Sequence, residues 1–333
     1  MKVSELREKL SKLKKDEVVK IASEFYKLIP KSKKEDYDVD SYVNDSGKKK
    51  KFSKPGKEIG LQQLETEVNT FIENARNQYY LIPNSVIPKK ERSKWRFKVK
   101  RWYKELTNHK RSDKNLELQS KLLCNLYELI CESCGYEYFS AYDSFQSIGI
   151  EQSTFYLSVI HMLQESDGKT DTLKPSIELI INNYLNRYTL YSELMADLIG
   201  TLDNVDLKYK GIKISVDLIK SIDNAPSKKE KSYFSSEEFR KKRKKNNLAE
   251  LGLRLYSDLY ETEEGISFYH KYYHEDSEEI KLYVLIRILF ELRDKENIEK
   301  EIEKAINRGI KIRSKLVDLL NEIKRNGKLP KYM

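Results

Sequence analysis

The sequence predicts an all-α protein: an irregular helical bundle or short α-solenoid with a small N-terminal helical hairpin. Three observations carry that expectation. Twelve Gly and seven Pro in 333 residues are too few for the positive-φ turns that a sandwich, a barrel or a Gly-loop nucleotide fold needs. Apolar residues recur at helical spacing along most of the chain. The segments that carry them are joined by short gaps, which makes successive helices antiparallel neighbours. No fixed period matches a known helical repeat, the tetratricopeptide pattern included.

The elements follow in order. Val3, Leu6, Leu10 and Leu13 mark a first helix; Val18, Val19, Ala22, Phe25 and Ile29 mark a second, which ends at Pro30. These form the N-terminal hairpin, residues 1–30. Residues 31–57 lose periodicity and hold Lys33-Lys34, then Asp36, Asp38 and Asp40, then the Lys48–Lys51 run between Gly47 and Gly56. They read as a charged linker.

The main helical domain spans 58–333, with a sub-boundary near 223–235. Leu61, Leu64, Val68, Phe71, Ile72 and Ala75 share one face of its first helix, which Pro83 and Pro88 close. Further helices are expected over about 92–108, 114–134 (ended by Gly135) and 151–165. The next is expected to start at Pro175, a good first-turn residue, and another to open at Thr189. Val205, Leu207 and Tyr209, then Ile212, Ile214 and Val216, alternate around Lys210-Gly211. That pattern fits a two-stranded ribbon or the junction of two helices. The junction is favoured, because an isolated ribbon is marginal. Ser235 with Glu238 forms a capping-box pattern before a helix running through Tyr260. Ser277 opens the apolar segment Ile280–Phe290, and two last helices flank Gly309, the final one ending at Gly327.

Charge is distributed unevenly. The formal net charge is +10, from 63 Lys+Arg and 53 Asp+Glu. Residues 89–111 hold 11 basic and 2 acidic residues, and residues 227–245 hold 9 and 3. The intervening segment 112–226 holds 9 basic and 17 acidic residues. Scattered lysines do not produce +9 in twenty-three residues, and the mutual repulsion of such a block favours a negatively charged partner.

Within the first block, Trp95, Val99, Trp102 and Leu106 form one helical stripe facing a core, rather than rings offered to nucleobases. Lys94, Arg96, Lys98, Lys100, Arg101 and Lys104 spread over the opposite arc, with Lys89, Lys90, Arg92, Lys110 and Arg111 flanking them. Such a face lays cations along a phosphate backbone and releases counterions. The second block, Lys228-Lys229 and Arg240, Lys241, Lys242, Arg243, Lys244 and Lys245, reads as an exposed loop feeding a helix, since consecutive cations occupy all sides of one. For both blocks the bland alternative is a solvated charged surface.

The leading expectation is therefore a non-catalytic protein that binds nucleic acid or another polyanion, with little base reading. Reversing Lys94, Lys98, Arg101 and Lys104 to Glu is expected to abolish that binding. A helical protein-interaction scaffold with an acidic partner is the alternative. A toxin or defence effector with an unrecognised nuclease site, using His109, His161, His270 or His274, is the third.

Other motifs point away from chemistry. Cys131-x-x-Cys134 with Cys124 lies on one helical face and lacks the fourth ligand of a structural zinc site, so buried thiols are expected. His270-x-x-x-His274 has Lys271 where a zincin carries Glu. Gly168-Lys169-Thr170 lacks the earlier Gly of a phosphate-binding loop, for position 163 is Leu. Asp36-x-Asp38-x-Asp40 has Ser41 where a calcium loop turns on Gly. No cofactor or metal is expected. No stretch reaches the ~18–20 apolar residues of a membrane span, the start has no signal-peptide h-region, and three cysteines suit a reducing cytoplasm.

Residues 3–27, with Val3-Ser4-Glu5-Leu6-Arg7-Glu8-Lys9-Leu10 and Lys14-Lys15-Asp16-Glu17-Val18-Val19, resemble the two-helix SAP type of DNA-binding module. Lys14-Lys15 stands where that family has a Gly-Lys turn. The resemblance implies DNA contact through Arg7, Lys9, Lys12, Lys14 and Lys15. A generic helical hairpin is the alternative reading of the same residues.

Overall fold

Asp143, Asn204, Ser277 and Asp294 cap the helices that follow them, and Gly149 and Gly327 end theirs in the left-handed region. The computed structural model describes residues 3–30, 34, 60–82, 84, 86–108, 113–225 and 236–333. It divides into two compact units, Met1–Gln63 and Leu64–Met333. Every regular element among the described residues is a helix.

The first unit contains α1 (Val3–Ser11) and α2 (Lys15–Leu28). Glu17 accepts from the Lys14 backbone N–H at 2.9 Å, and Asp16 beside it suits the positive end of the helix. Lys12 pairs with Glu8 one turn back at 2.8 Å. No residue of α2 is buried, and Val19, Phe25 and Leu28 are exposed. The linker expected over 31–57 lies outside the described residues apart from Lys34, which sits over the Tyr26 ring at 3.7 Å.

In the second unit α3 (Leu61–Arg76, whose first turn belongs to the preceding unit) is followed by α4 (Lys89–Arg92), α5 (Trp95–Asn108), α6 (Asp113–Gly135), α7 (Ser144–Ile148) and α8 (Gln152–Asp167). Then come α9 (Lys169–Asn182), α10 (Tyr191–Gly200), α11 (Val205–Asn224), α12 (Ser236–Asp258), α13 (Thr262–Tyr272), α14 (Glu278–Glu291), α15 (Lys295–Asn307) and α16 (Ser314–Asn326). Helices close in sequence pack on one another: α5 on α6, α8 on α6 and α9, α11 on α12, α12 on α13, and α14 on α15. This is the all-α bundle that the sequence predicts.

Three apolar regions fill it. Phe139 stacks on Trp95 at 4.0 Å and on Phe71 at 5.8 Å, with Tyr80 edge-on, and Phe71 meets Trp102 at 5.0 Å. Tyr127, Phe145, Phe155 and Tyr156 fill the middle. There the buried Gln152 side chain donates to the Tyr184 carbonyl and accepts from the Asn186 N–H, which pins the loop between α9 and α10. The third core joins Leu253 and Tyr269 to Leu285, Leu289, Ile302 and Leu320 of the last three helices.

Four expectations need correction. The helix expected to start at Pro175 starts at Lys169, because Gly168 at φ 82° breaks the chain from α8; Pro175 lies inside and leaves one backbone acceptor without its donor. Residues 205–216 are neither ribbon nor junction but part of one helix, α11. Gly211 is a notch: a Cβ there would stand 3.1 Å from Leu255 Cδ1 of α12. The Arg240–Lys245 run lies within α12 and is half-buried throughout, not an exposed loop. Finally, α13 holds His270 but ends at Tyr272, so His274 does not share its helical face.

Candidate polyanion-binding surface

The buried stripe of α5 is the one its spacing predicts: Trp95, Val99, Trp102 and Leu106 are all buried, at 4%, 0%, 2% and 1% exposure. Both indoles are engaged with core rings and are closed to ligands. The remaining arc faces solvent, with Lys94, Arg96, Lys98, Lys100, Arg101 and Lys104 all exposed.

That arc divides into two flanks. On one, Lys94 Nζ is 2.8 Å from Glu91 Oε1, and Arg101 is 2.5 Å from Glu67 and 3.6 Å from Glu105. The hydrogen bond from Lys94 holds the Glu91 carboxyl below the usual carboxylate range. Lys98 adds its field to the same carboxylate without pairing to it. On the other flank Arg96, Lys100 and Lys104 follow at i, i+4 and i+8, each about 6 Å further along the axis. Among the described residues none of these three has a carboxylate partner. Phe97, 62% exposed, lies on the same side, and the Arg96 guanidinium stands 5.0 Å from its ring. Sequence periodicity had singled out the tryptophans. The ring that solvent reaches is Phe97.

The other candidates in this block have different fates. Lys89 and Lys90 are exposed on α4. Arg92 is half-buried and donates to the carbonyls of Ile87 at 2.8 Å and Asn84 at 3.0 Å, so it fastens the turn before α4. Lys110 and Arg111, like His109, lie outside the described residues.

The second block is largely neutralised. Lys241 meets Glu237 at 3.6 Å and donates to the Ala225 carbonyl. Lys242 meets Glu275 at 3.1 Å and Asp276 at 3.5 Å, and the Glu275 hydrogen bond raises its pKa. Lys245 meets Asp223 at 2.8 Å. Arg243 lies 5.8 Å and 5.9 Å from the rings of Tyr184 and Tyr191, Arg240 bears on the Tyr184 hydroxyl, and among the described residues Lys244 has no carboxylate partner. Lys228 and Lys229 lie outside the described residues.

The remaining motifs are placed as follows. Cys131 is buried, and burial pushes the Cys124 and Cys134 thiols up to about 12, which leaves them protonated and unreactive. Among the described residues no three His, Cys, Asp or Glu converge to hold a metal. His270 Nε2 is 3.2 Å from the buried Glu301 carboxylate, at the edge of a cleft of about 640 Å³. His161 is exposed. Burial and the charge of Lys245 lower the His274 pKa. Lys169 of the Gly168-Lys169-Thr170 sequence pairs with Asp203 at 2.8 Å. Among the described residues no helix is long and apolar enough to cross a membrane. No family model, curated protein or solved structure matches the chain.

Proposed function

We propose that the protein binds nucleic acid, or a polyanion of similar charge spacing, through the flank of α5 that carries Arg96, Lys100 and Lys104. One observation supports this above the others. The facing flank of the same helix is matched by Glu67, Glu91 and Glu105, whereas this one keeps three exposed cations a turn apart with no carboxylate among the described residues. Phosphates laid along the row release their counterions, and Phe97 offers a face to an unpaired base. Lys89, Lys90 and Lys98 extend the positive field. The SAP-like hairpin adds DNA contact through Lys9, Lys14 and Lys15 on the same reading.

The test is charge reversal on each flank separately. Arg96→Glu, Lys100→Glu and Lys104→Glu together remove binding to a generic oligonucleotide. Lys94→Glu with Arg101→Glu weakens it far less, since those cations are already matched. Equal losses from the two variants, or binding that survives the triple reversal, overturn the assignment. Partners that resist nuclease in an affinity purification would point instead to an acidic protein.

A further inference from the structure

Lys100 of the α5 row stands beside the left-handed turn that ends α7. Its Nζ is 3.4 Å from where a Cβ of Gly149 would be. Gly149, at φ 63°, closes α7 by donating its N–H to the Phe145 carbonyl at 3.0 Å. The same glycine lines a cleft of about 920 Å³. The row of cations therefore runs up to the edge of a cavity.

The cavity carries the opposite charge. Glu151, Glu193 and Asp197 line it, and among the described residues no Lys or Arg does. Glu151 precedes α8 without capping it through its side chain. Glu193 and Asp197 lie one turn apart on α10, and burial, then the charge of Glu193, raises the Asp197 pKa. Asp197 Oδ2 is buried. The acceptors that a ligand meets are thus the exposed Glu193 and Glu151, with Asp197 deepening the negative field behind them.

A ring is held at the same cleft. Asn186 Oδ1 accepts the backbone N–H of Tyr188 at 3.0 Å and that of Thr189 at 2.7 Å. The Asn186 N–H is itself fixed by the buried Gln152 at 2.8 Å. This turn presents Tyr188, 66% exposed, on backbone that is tied down. Arg187 of the same loop is engaged elsewhere, over the Tyr142 ring at 3.7 Å.

We infer that, granted the α5 row as the seat of a phosphate backbone, this cleft takes an unpaired base of the bound strand, guanine above the others. A phosphate on Lys100 brings its base beside Gly149, Tyr188 offers a stacking face, and Glu193 and Glu151 accept hydrogens from the base edge. Guanine has two adjacent donors there, N1–H and its amino group. Adenine and cytosine have one amino group, and thymine and uracil a single imino N–H. Carboxylates accept the paired donors best. They also repel phosphate, which keeps the backbone on the row and admits only the base.

Fluorescence anisotropy of the full chain on oligothymidylates that differ in one central nucleotide tests this. Central guanine binds at least about fivefold more tightly than central thymine. Hypoxanthine, which keeps N1–H but lacks the amino group, falls between them. Glu193→Gln with Glu151→Ala brings guanine within about twofold of thymine without weakening the thymine strand; Glu193→Gln retains an acceptor for the Leu190 N–H that Glu193 holds at 3.1 Å. Tyr188→Ala, at an exposed position, weakens the guanine strand more than the thymine one. The triple reversal of Arg96, Lys100 and Lys104 removes binding of every strand. Equal affinity for all central bases, with that loss intact, sinks the cleft and leaves the row standing. Binding that ignores the triple reversal, or no binding at all, sinks both. A guanine preference that survives in the Glu193, Glu151 variant, folded by circular dichroism, overturns the inference as well.

Discussion

Arg101 on α5 reaches back thirty-four residues to Glu67 on α3, with Nη2 2.5 Å from Oε2. The same oxygen accepts the Trp102 indole N–H at 3.1 Å. One carboxylate thus serves a surface cation and a core ring at once, and its two duties are separable by substitution. Glu67→Gln keeps an acceptor for the indole but removes the charge. It is expected to change stability by less than about 1 kcal/mol while strengthening oligonucleotide binding at low salt, since Arg101 is released. Glu67→Leu leaves the indole N–H without an acceptor and is expected to cost about 1–3 kcal/mol. Urea denaturation and a binding titration on both variants check this; tighter binding by neither would show that Arg101 is no part of the surface.

Phe97 separates two kinds of nucleic acid. A ring exposed beside cations stacks on unpaired bases but finds none accessible in a duplex. Phe97→Ala is therefore expected to weaken binding of a single-stranded oligonucleotide by about 1–3 kcal/mol and to leave duplex binding nearly unchanged. Fluorescence anisotropy on paired substrates measures the difference. Equal losses on both substrates would remove stacking from the account and leave phosphate contact alone.

The salt dependence gives a count. Three phosphates matched by Arg96, Lys100 and Lys104 contribute a log–log slope of about −2.7 on duplex and about −2 on a single strand. Replacing all three by Gln, which weakens binding without reversing the charge, is expected to remove that much of the measured slope, however large the remainder. A slope that does not change would mean that these residues touch no phosphate.

Arg254 on α12 is buried with Glu250 at 2.7 Å and Glu291 of α14 at 2.5 Å. A buried ionic cluster is worth little against apolar replacement but much against the loss of one partner. Glu250→Ala leaves the buried Arg254 with Glu291 alone and is expected to destabilise the fold by about 1–3 kcal/mol. Arg254→Met combined with Glu250→Leu is expected to lose far less. Thermal unfolding orders the two, and the reverse order would mean that the cluster is a net source of stability.

How much of this the sequence shows depends on how far apart the interacting residues lie. The stripe Trp95, Val99, Trp102 and Leu106 is legible because helical burial is a local periodicity. The matching of Arg101 by Glu67, of Lys242 by Glu275 and of Lys245 by Asp223 is not, because each carboxylate arrives from another helix or loop. The Arg240–Lys245 run looked too uniformly charged to pack for the same reason. Alternation over 205–216 misled because Val205 and Tyr209 are exposed, so their apolar character reports no buried face. Gly211 looked like a break, whereas its role is set by Leu255, forty-four residues later. The cations Arg240 to Lys245 of α12 were named in the sequence, but Tyr184 and Tyr191, which lie against Arg243, had no signal there.

Glu301 on α15 supplies a prediction in pH. Burial pushes its carboxyl up, but hydrogen bonds from His270 at 3.2 Å and Lys304 at 2.6 Å outweigh that and hold it below the usual carboxylate range. Glu263, Glu278, Lys281 and Arg308 also line the adjoining cleft. A group whose folded pKa is depressed adds stability above its unfolded value, about 4.3 for a glutamate, and loses it as pH falls through the folded value. Glu301→Gln keeps an acceptor for His270 but cannot titrate. The stability difference between parent and variant is expected to shrink steadily as pH falls below about 4.3. Thermal unfolding of both proteins across that window reads the difference directly, and a difference independent of pH would mean that the ion pair with Lys304 contributes nothing to the fold.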